Sequence, residues 1–189
     1  QALTFDPASK GLNGAVGNIY YNYKNDVISA KNYFEKELEI NPNDADSWLQ
    51  LGYCYYVNKD FDLAANHAKK ALAIWKYPNT ANPSASSALN LIGNVSMAAK
   101  DTAGAKQTFL QAVKVNKQEI PARKNLARIH EIEERFNEAK NLYLEITALD
   151  HGDALAHLSL ANIYFYQGAS QLAALEFVTA LLLKPALEN

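Results

Sequence analysis

The sequence has a single cysteine, Cys54, among its 189 residues, so the chain can form neither an internal disulfide nor a site built from several thiolates. The sequence also has no large excess of charge of one sign, because it contains 18 basic and 20 acidic side chains and has a net charge of −2. Without a basic excess, nucleic-acid binding is not expected. No apolar run approaches the ~20 residues that a membrane-spanning helix needs. The first residues show no basic segment followed by an apolar core, and a cytoplasmic and a bacterial periplasmic location both stay open.

What the sequence does contain is a repeat built around small residues. Alanines that begin an apolar helical stripe recur at spacings of 34, 41, 34 and 34 residues, at Ala30, Ala64, Ala105, Ala139 and Ala173. Four residues after each alanine comes an aromatic residue in four of five cases, at Phe34, Ala68, Phe109, Tyr143 and Phe177. A constant period of this size predicts a stack of similar helical units.

The clearest unit runs from Asn43 to Tyr77 and is typical of two helices joined by a short turn. One helical face is marked at i, i+3, i+4 and i+7 by Trp48, Leu51, Gly52 and Tyr55. A second apolar stripe begins at Phe61, after three turn residues. Pairs like Leu51-Gly52 recur in the first helix of later units. A period of 34 with an aromatic residue, Leu-Gly, Tyr, then Ala, an aromatic residue, Ala and a closing Pro resembles the tetratricopeptide repeat family.

The resemblance implies an all-α fold, a right-handed α-solenoid of five tetratricopeptide helix–turn–helix repeats with about ten helices. Residues 1–189 are expected to form a single array, with repeats at about 11–44, 45–78, 86–119, 120–153 and 154–187 and an inserted loop at 77–85. Each helix pair leaves an apolar face that the next pair covers, so neighbouring repeats stabilise one another.

Both ends of the array depart from the family pattern. Repeat one has Gly14, Gly17 and Asn18 where bulkier or more tightly packing residues are expected, which predicts a frayed, capping unit. The last helix is apolar nearly all round from Glu176 to Leu183, whereas a terminal repeat normally turns a polar face outward. This indicates a fragment of a longer array or an end that another subunit covers.

Signals of catalysis are weak. The four histidines, His67, His130, His151 and His157, lack the spacing of a zinc-protease helix, and we interpret them as structural or solvated. No glycine-rich phosphate loop and no nucleophile motif occurs. We therefore expect no enzyme, with no catalytic residue, no metal and no cofactor.

Family resemblance implies that the first helices line a concave groove that receives a peptide or a helix of a partner. Aromatic anchors, amides and two cations are expected on this groove, at Tyr53, Tyr56, Asn90, Asn94, Lys124, Arg128, Asn162, Phe165 and Tyr166. Amides can donate to and accept from a peptide backbone, and two cations one turn apart can pair with a carboxylate. The clamp of chaperone-cofactor repeats is not expected, because its asparagines are matched here but its cations are not.

The sequence therefore predicts a non-catalytic scaffold or adaptor that binds a peptide or protein segment in the concave groove. Two alternatives stay open: a scaffold that self-assembles into a homo-oligomer through its uncapped C-terminal helix, or the interaction segment of a larger protein.

Overall fold

The computed structural model describes residues 9–78 and 82–183. Within these ranges the chain contains ten α-helices and no strand, which confirms the predicted all-α fold of repeated helix pairs. The helices are α1 (Leu12–Asn22), α2 (Val27–Ile40), α3 (Ala45–Val57), α4 (Phe61–Ile74), α5 (Ala85–Ala98), α6 (Thr102–Val115), α7 (Ile120–Ile132), α8 (Phe136–Leu149), α9 (Ala154–Tyr166) and α10 (Ser170–Leu183). None of these helices is long and apolar enough to cross a membrane.

The described residues divide into two compact units between Val115 and Asn116. In the first unit, α1 to α6 form three helix pairs, and α3 and α5 pack onto the pairs that precede them. In the second unit, α7 to α10 form two helix pairs, and α9 packs onto α8. Residues 79–81 of the predicted loop and residues 184–187 of the predicted fifth repeat lie outside the described part of the chain.

All five helix pairs are joined by the same kind of turn. The residue two places before each second helix has a left-handed backbone, with φ between 51° and 75°, at Asn25, Lys59, Lys100, Glu134 and Gly168. The next amide donates back to a carbonyl of the preceding helix, as Asp60 N does to Tyr55 O over 2.9 Å. This bond fixes the end of the first helix in a recurring geometry. The turn of the first pair, residues 23–26, is one residue longer than the other four.

The longer first turn explains why Gly17 stands out of register in the sequence. A Cβ atom on Gly17 would lie 2.7 Å from the ring of Phe34, and one on Gly93 would lie 2.4 Å from the ring of Phe109. Gly17, and not Asn18, therefore occupies in α1 the place that Gly93 occupies in α5. The sequence interpretation of Gly17 as a sign of a degenerate repeat was wrong, because the extra turn residue shifts the register by one and the packing is kept.

A buried carboxylate fixes the beginning of α1. Glu37 of α2 is fully buried, and its oxygens accept from the backbone amides of Gly11 over 2.6 Å and Gly14 over 3.3 Å. The first amides of a helix have no partner within the helix, and the helix dipole favours a negative charge there. Equivalent places in later repeats hold Ala71 and Ala112. Glu37 is thus a side-chain cap supplied to α1 by its neighbouring helix.

The apolar cores follow the predicted stripes. In the first unit, Phe34 and Cys54 belong to one core between α2 and α3, and Ala68 and Leu91 belong to another that involves α4 and α5. Burial raises the pKa of the Cys54 thiol to about 11. In the second unit, a core between α8 and α9 includes Tyr143. These cores set the rotation of each first helix and so decide which side chains are left on the surface.

Candidate peptide-binding surface

In the first unit, the two predicted aromatic anchors are half-buried in the contact between the second and third repeats. The Tyr53 hydroxyl donates to the carbonyl of Ser87 over 3.0 Å, and Ser87 lies in the first turn of α5. The Tyr56 ring contacts the Phe61 ring, with 5.6 Å between centroids. Both rings pack against the core that contains Leu91. They therefore hold α3 against its neighbours and expose only part of their surface.

The two predicted amides of α5 differ in accessibility. Asn90 is 5% exposed, whereas Asn94, one turn further along the helix, is half-buried. Both side chains already have interactions within the protein. Asn94 therefore offers more surface to a ligand than Asn90 does.

In the second unit, the two predicted cations have different surroundings. Lys124 Nζ of α7 forms an ion pair with Asp153, whose other carboxylate oxygen accepts from the amide of Ala156 over 3.1 Å at the start of α9. The charge of Lys124 is thus neutralised by a nearly buried carboxylate. Arg128, one turn later, is exposed. The expected pair of cations acting together on one carboxylate is therefore reduced to Arg128 as the exposed positive charge.

Glu131, whose carboxylate is half-buried, lies close enough to Arg128 to be affected by its charge. The Tyr143 hydroxyl of α8 donates to Glu131 Oε2 of α7 over 3.2 Å. Burial raises the pKa of Glu131, and the hydrogen bond from Tyr143 and the charge of Arg128 oppose this rise. Burial is also the main cause that raises the pKa of Tyr143 to about 12. Tyr143 therefore keeps its proton at neutral pH and remains a donor.

These groups border a recess of about 430 Å³ on the second unit. Three predicted residues, Lys124, Arg128 and Asn162, lie together in its wall. The rest of the lining combines polar groups with aliphatic side chains, namely Asn125, Glu131, Tyr143, Leu155, Ala156, Leu158 and Ser159. A recess of this composition can contact apolar side chains and hydrogen-bond a peptide backbone at the same time.

The two predicted aromatic residues at the end of α9 lie apart from this recess. Phe165 and Tyr166 are 68% and 79% exposed, with their rings edge to face at 6.1 Å. Phe165 borders a second recess of about 370 Å³, formed by α9 and α10 together with Phe177. Tyr166 stacks on Phe136, the first residue of α8, with 6.5 Å between ring centroids. The aromatic anchors thus do not line the polar recess, although Asn162 borders both recesses.

Sequence reasoning missed two residues that shape the recess. Asp153 stands directly before α9, where an aspartate typically caps a helix, and this position was the available signal for it. Tyr143 stands at the recurring aromatic position, and its ring packs in the core, but its hydroxyl reaches Glu131. No sequence signal shows where the end of a packed tyrosine side chain lies. In the described residues, no group of three His, Cys, Asp or Glu side chains could hold a metal ion.

The helix pairs and their glycine–aromatic contacts define a helical-repeat protein, and comparisons with known proteins show what it is similar to. Residues 33–66 match the tetratricopeptide repeat family. The structure resembles pilF of Pseudomonas aeruginosa, with a TM-score of 0.77 and 19% identity over 95% of this chain and 78% of that one. It also resembles TTC0263, a thermophilic TPR protein of Thermus thermophilus, with a TM-score of 0.71 and 17% identity over 92% and 90% of the two chains.

A third structure is similar to this chain over most of its length. YrrB, a TPR protein with an unusual peptide-binding site, has a TM-score of 0.58 and 20% identity over 95% of this chain and 89% of its own. No curated protein sequence matches the chain. By sequence, one repeat of the chain thus matches the tetratricopeptide repeat family, and the described residues have the fold of these tetratricopeptide repeat structures.

Proposed function

We propose that this protein is a non-catalytic scaffold that binds a peptide segment of a partner, and that the recess between α7 and α9 is part of the binding surface. The observation that carries this proposal is that Arg128 and Asn162 line one recess together with aliphatic side chains. YrrB, which has a similar fold, is a TPR protein with a peptide-binding site.

The lining suggests how a peptide would be held. Leu155 and Leu158 offer apolar contact, and Asn162 can both donate to and accept from a peptide backbone. Arg128 is the exposed cation, so an acidic side chain or a terminal carboxylate of the ligand would lie against its guanidinium. Because Lys124 is paired with Asp153, we expect one carboxylate contact in this recess and not two.

The remaining residues expected on the binding surface extend the proposal to other parts of the chain. In the first unit they are Tyr53, Tyr56, Asn90 and Asn94. In the second unit, Phe165 and Tyr166 would supply aromatic contacts, which are frequent energetic centres of protein interfaces. Their exposure sets the order of the contributions that we expect to binding: Phe165 and Tyr166 are largely exposed and can contribute most, whereas Asn90 is buried and can contribute least.

A random peptide library displayed on phage tests this function directly. Peptides selected on the wild-type protein would be synthesised and their affinity measured by isothermal titration calorimetry. We expect Arg128→Ala to weaken binding by about tenfold or more, since a hydrogen bond to a charged group contributes ~1.5–3 kcal/mol. Asn162→Ala should weaken it by about two- to tenfold, since a neutral hydrogen bond contributes ~0.5–1.5 kcal/mol. Arg135→Ala and Asn141→Ala remove the same side-chain types at exposed places outside the recess and should leave affinity unchanged.

The outcomes separate the proposal from its alternatives. Failure to select any peptide would contradict peptide binding. Selected peptides that bind all four variants equally well would move the site away from this recess.

Self-assembly is the second candidate function, and one specific observation favours it. Helix α10 exposes large apolar side chains in several directions, among them Leu175 at 61%, Phe177 at 48% and Leu182 at 77%. Large exposed apolar patches on soluble proteins commonly mark interaction sites. Sedimentation velocity across a range of concentrations tests it, and a monomer at every concentration would refute it.

A further inference from the structure

One position of the repeat is buried in every repeat except the last. The residue four places after the repeat alanine is fully buried at Phe34, Ala68 and Phe109 and 6% exposed at Tyr143. Its equivalent in α10, Phe177, is 48% exposed. The fifth repeat thus presents on its surface a large side chain whose counterparts belong to the core.

A second position shows the opposite pattern, with the exposed member in the first repeat. In each first helix, this position comes two residues after the small residue, glycine or alanine, that packs against the second helix. Cys54 and Ile129 are fully buried there, Ile163 is 2% exposed, and Val95 is half-buried. In α1 the corresponding residue, two after Gly17, is Ile19, which is 48% exposed.

At two junctions between repeats, these two positions belong to the same apolar core. Phe34 of the first repeat shares a core with Cys54 of the second, and Tyr143 of the fourth repeat shares a core with Ile163 of the fifth. At both junctions, the aromatic position of a second helix and this position of the following first helix lie in one core. Phe177 and Ile19 are therefore the two halves of a contact that the chain makes elsewhere, left exposed on α10 and α1.

We propose that a second copy of this chain supplies the missing half, with α1 of one copy packing on α9 and α10 of another so that Ile19 contacts Phe177. This inference rests on the self-assembly proposed above and specifies its two surfaces. In this arrangement α1 of the second copy occupies the recess beside Phe177 and packs there as α3 packs on α2. The lining of this recess includes Ala161, Ala173 and Ala174.

Charge and composition agree with this occupant. Helix α1 has no charged side chain. The charged residue of α10 is Glu176, and its carboxylate lies 2.6 Å from His157 Nδ1 of α9. Packing α1 on α10 therefore leaves no unpaired charge on either helix in the contact, and burying an unpaired charge would be costly.

The two surfaces are different, so the contact is heterologous. Each copy that offers α10 to a neighbour still has its own α1 exposed, and association continues from copy to copy unless a ring closes. An isologous dimer, in which α10 packs on α10, would instead stop at two copies. The stoichiometry of association therefore distinguishes the proposed contact from the simplest alternative.

The test uses two charge-introducing variants, Ile19→Asp and Phe177→Asp, studied separately and as an equimolar mixture. The wild-type protein should form species larger than dimers as its concentration rises in sedimentation velocity. Each variant alone should remain monomeric, with association at least ~100-fold weaker, because a carboxylate would be buried without a partner. In the mixture, intact Phe177 of one variant meets intact Ile19 of the other, so a one-to-one dimer should form and nothing larger.

Leu110→Asp is the matched control, because Leu110 is also exposed, at 53%, and lies on α6. It should associate like the wild type, and far-ultraviolet circular dichroism should show all three variants folded. A mixture that stays monomeric would overturn the heterologous contact. A wild-type oligomer that resists Ile19→Asp would overturn the role of α1 and leave self-assembly standing, whereas a monomeric wild type would refute both. Peptide binding would be measured separately, with the Arg128→Ala variant.

Discussion

Replacing Gly93 by alanine should destabilise the protein, although the same change in most helices is stabilising. Gly93 lies in α5 against the ring of Phe109, which is fully buried. The new Cβ would lie 2.4 Å from Phe109 Cε1, 2.7 Å from Cδ1 and 2.9 Å from Cζ. Because the ring is enclosed on all sides, it can move away only by displacing its own neighbours.

Two opposing effects set the magnitude. Alanine is favoured over glycine in a helix by about 1 kcal/mol. Overpacking a close-packed core costs ~1–3 kcal/mol, and contact with three ring atoms places this substitution near the upper end. We therefore expect the free energy of unfolding to fall by about 2 kcal/mol. Urea denaturation followed by far-ultraviolet circular dichroism would measure it.

A double-mutant cycle isolates the contact. In a Phe109→Leu background the ring is absent, so Gly93→Ala should become neutral or stabilising, with a coupling energy of about 2–3 kcal/mol. Ala127→Gly is the matched control in α7, at the equivalent place, and should lose ~1 kcal/mol of helix propensity together with the burial of one methyl group, ~0.8 kcal/mol. If Gly93→Ala proves as stable as the wild type, or costs the same in both backgrounds, the steric explanation of this glycine is refuted.

Two further predictions concern buried ionisable groups. Glu37→Ala removes the acceptor of the Gly11 and Gly14 amides and should lower the free energy of unfolding by about 2 kcal/mol. Glu39 is an exposed carboxylate of the same helix, and Glu39→Ala should change this free energy little. Equal effects of the two variants in urea denaturation would contradict the capping role. Cys54 has a thiol pKa of about 11 in the fold against ~8.5 in unfolded chains. The unfolded chain therefore loses this proton first, and stability should decline between pH ~8.5 and ~11 with a slope that Cys54→Ala reduces; parallel pH profiles for the two proteins would count against it.

The fold could be predicted from the sequence because small residues recur at fixed spacing. Ala64 and Ala105 are fully buried, and each marks a helix face whose periodicity is visible without any structure. Gly17 was misjudged, since a turn longer by one residue changes the register and leaves no composition signal. Helix identity thus follows from local pattern, while register depends on a turn length that the pattern does not fix.

The candidate site was less predictable, for a different physical reason. Periodicity places Asn90 on the first-helix surface, but only packing decides that it is 5% exposed. Lys124 was expected to face a ligand, and its ion pair with Asp153 depends on a residue 29 positions later in the chain. Side-chain pairing between helices depends on a rotation of a few tens of degrees, which a 3.6-residue period does not resolve.

The helix-connecting turns have a consequence for how this sequence can change over time. The same left-handed backbone is formed by Asn25, Lys59, Lys100, Glu134 and Gly168, that is, by a neutral amide, two cations, an anion and a residue without a side chain. The geometry depends on a main-chain hydrogen bond, so the side chain at this place can drift in charge while the helices keep their packing. Substitutions should therefore accumulate at these turns, and the isoelectric point can diverge among relatives long before the core does.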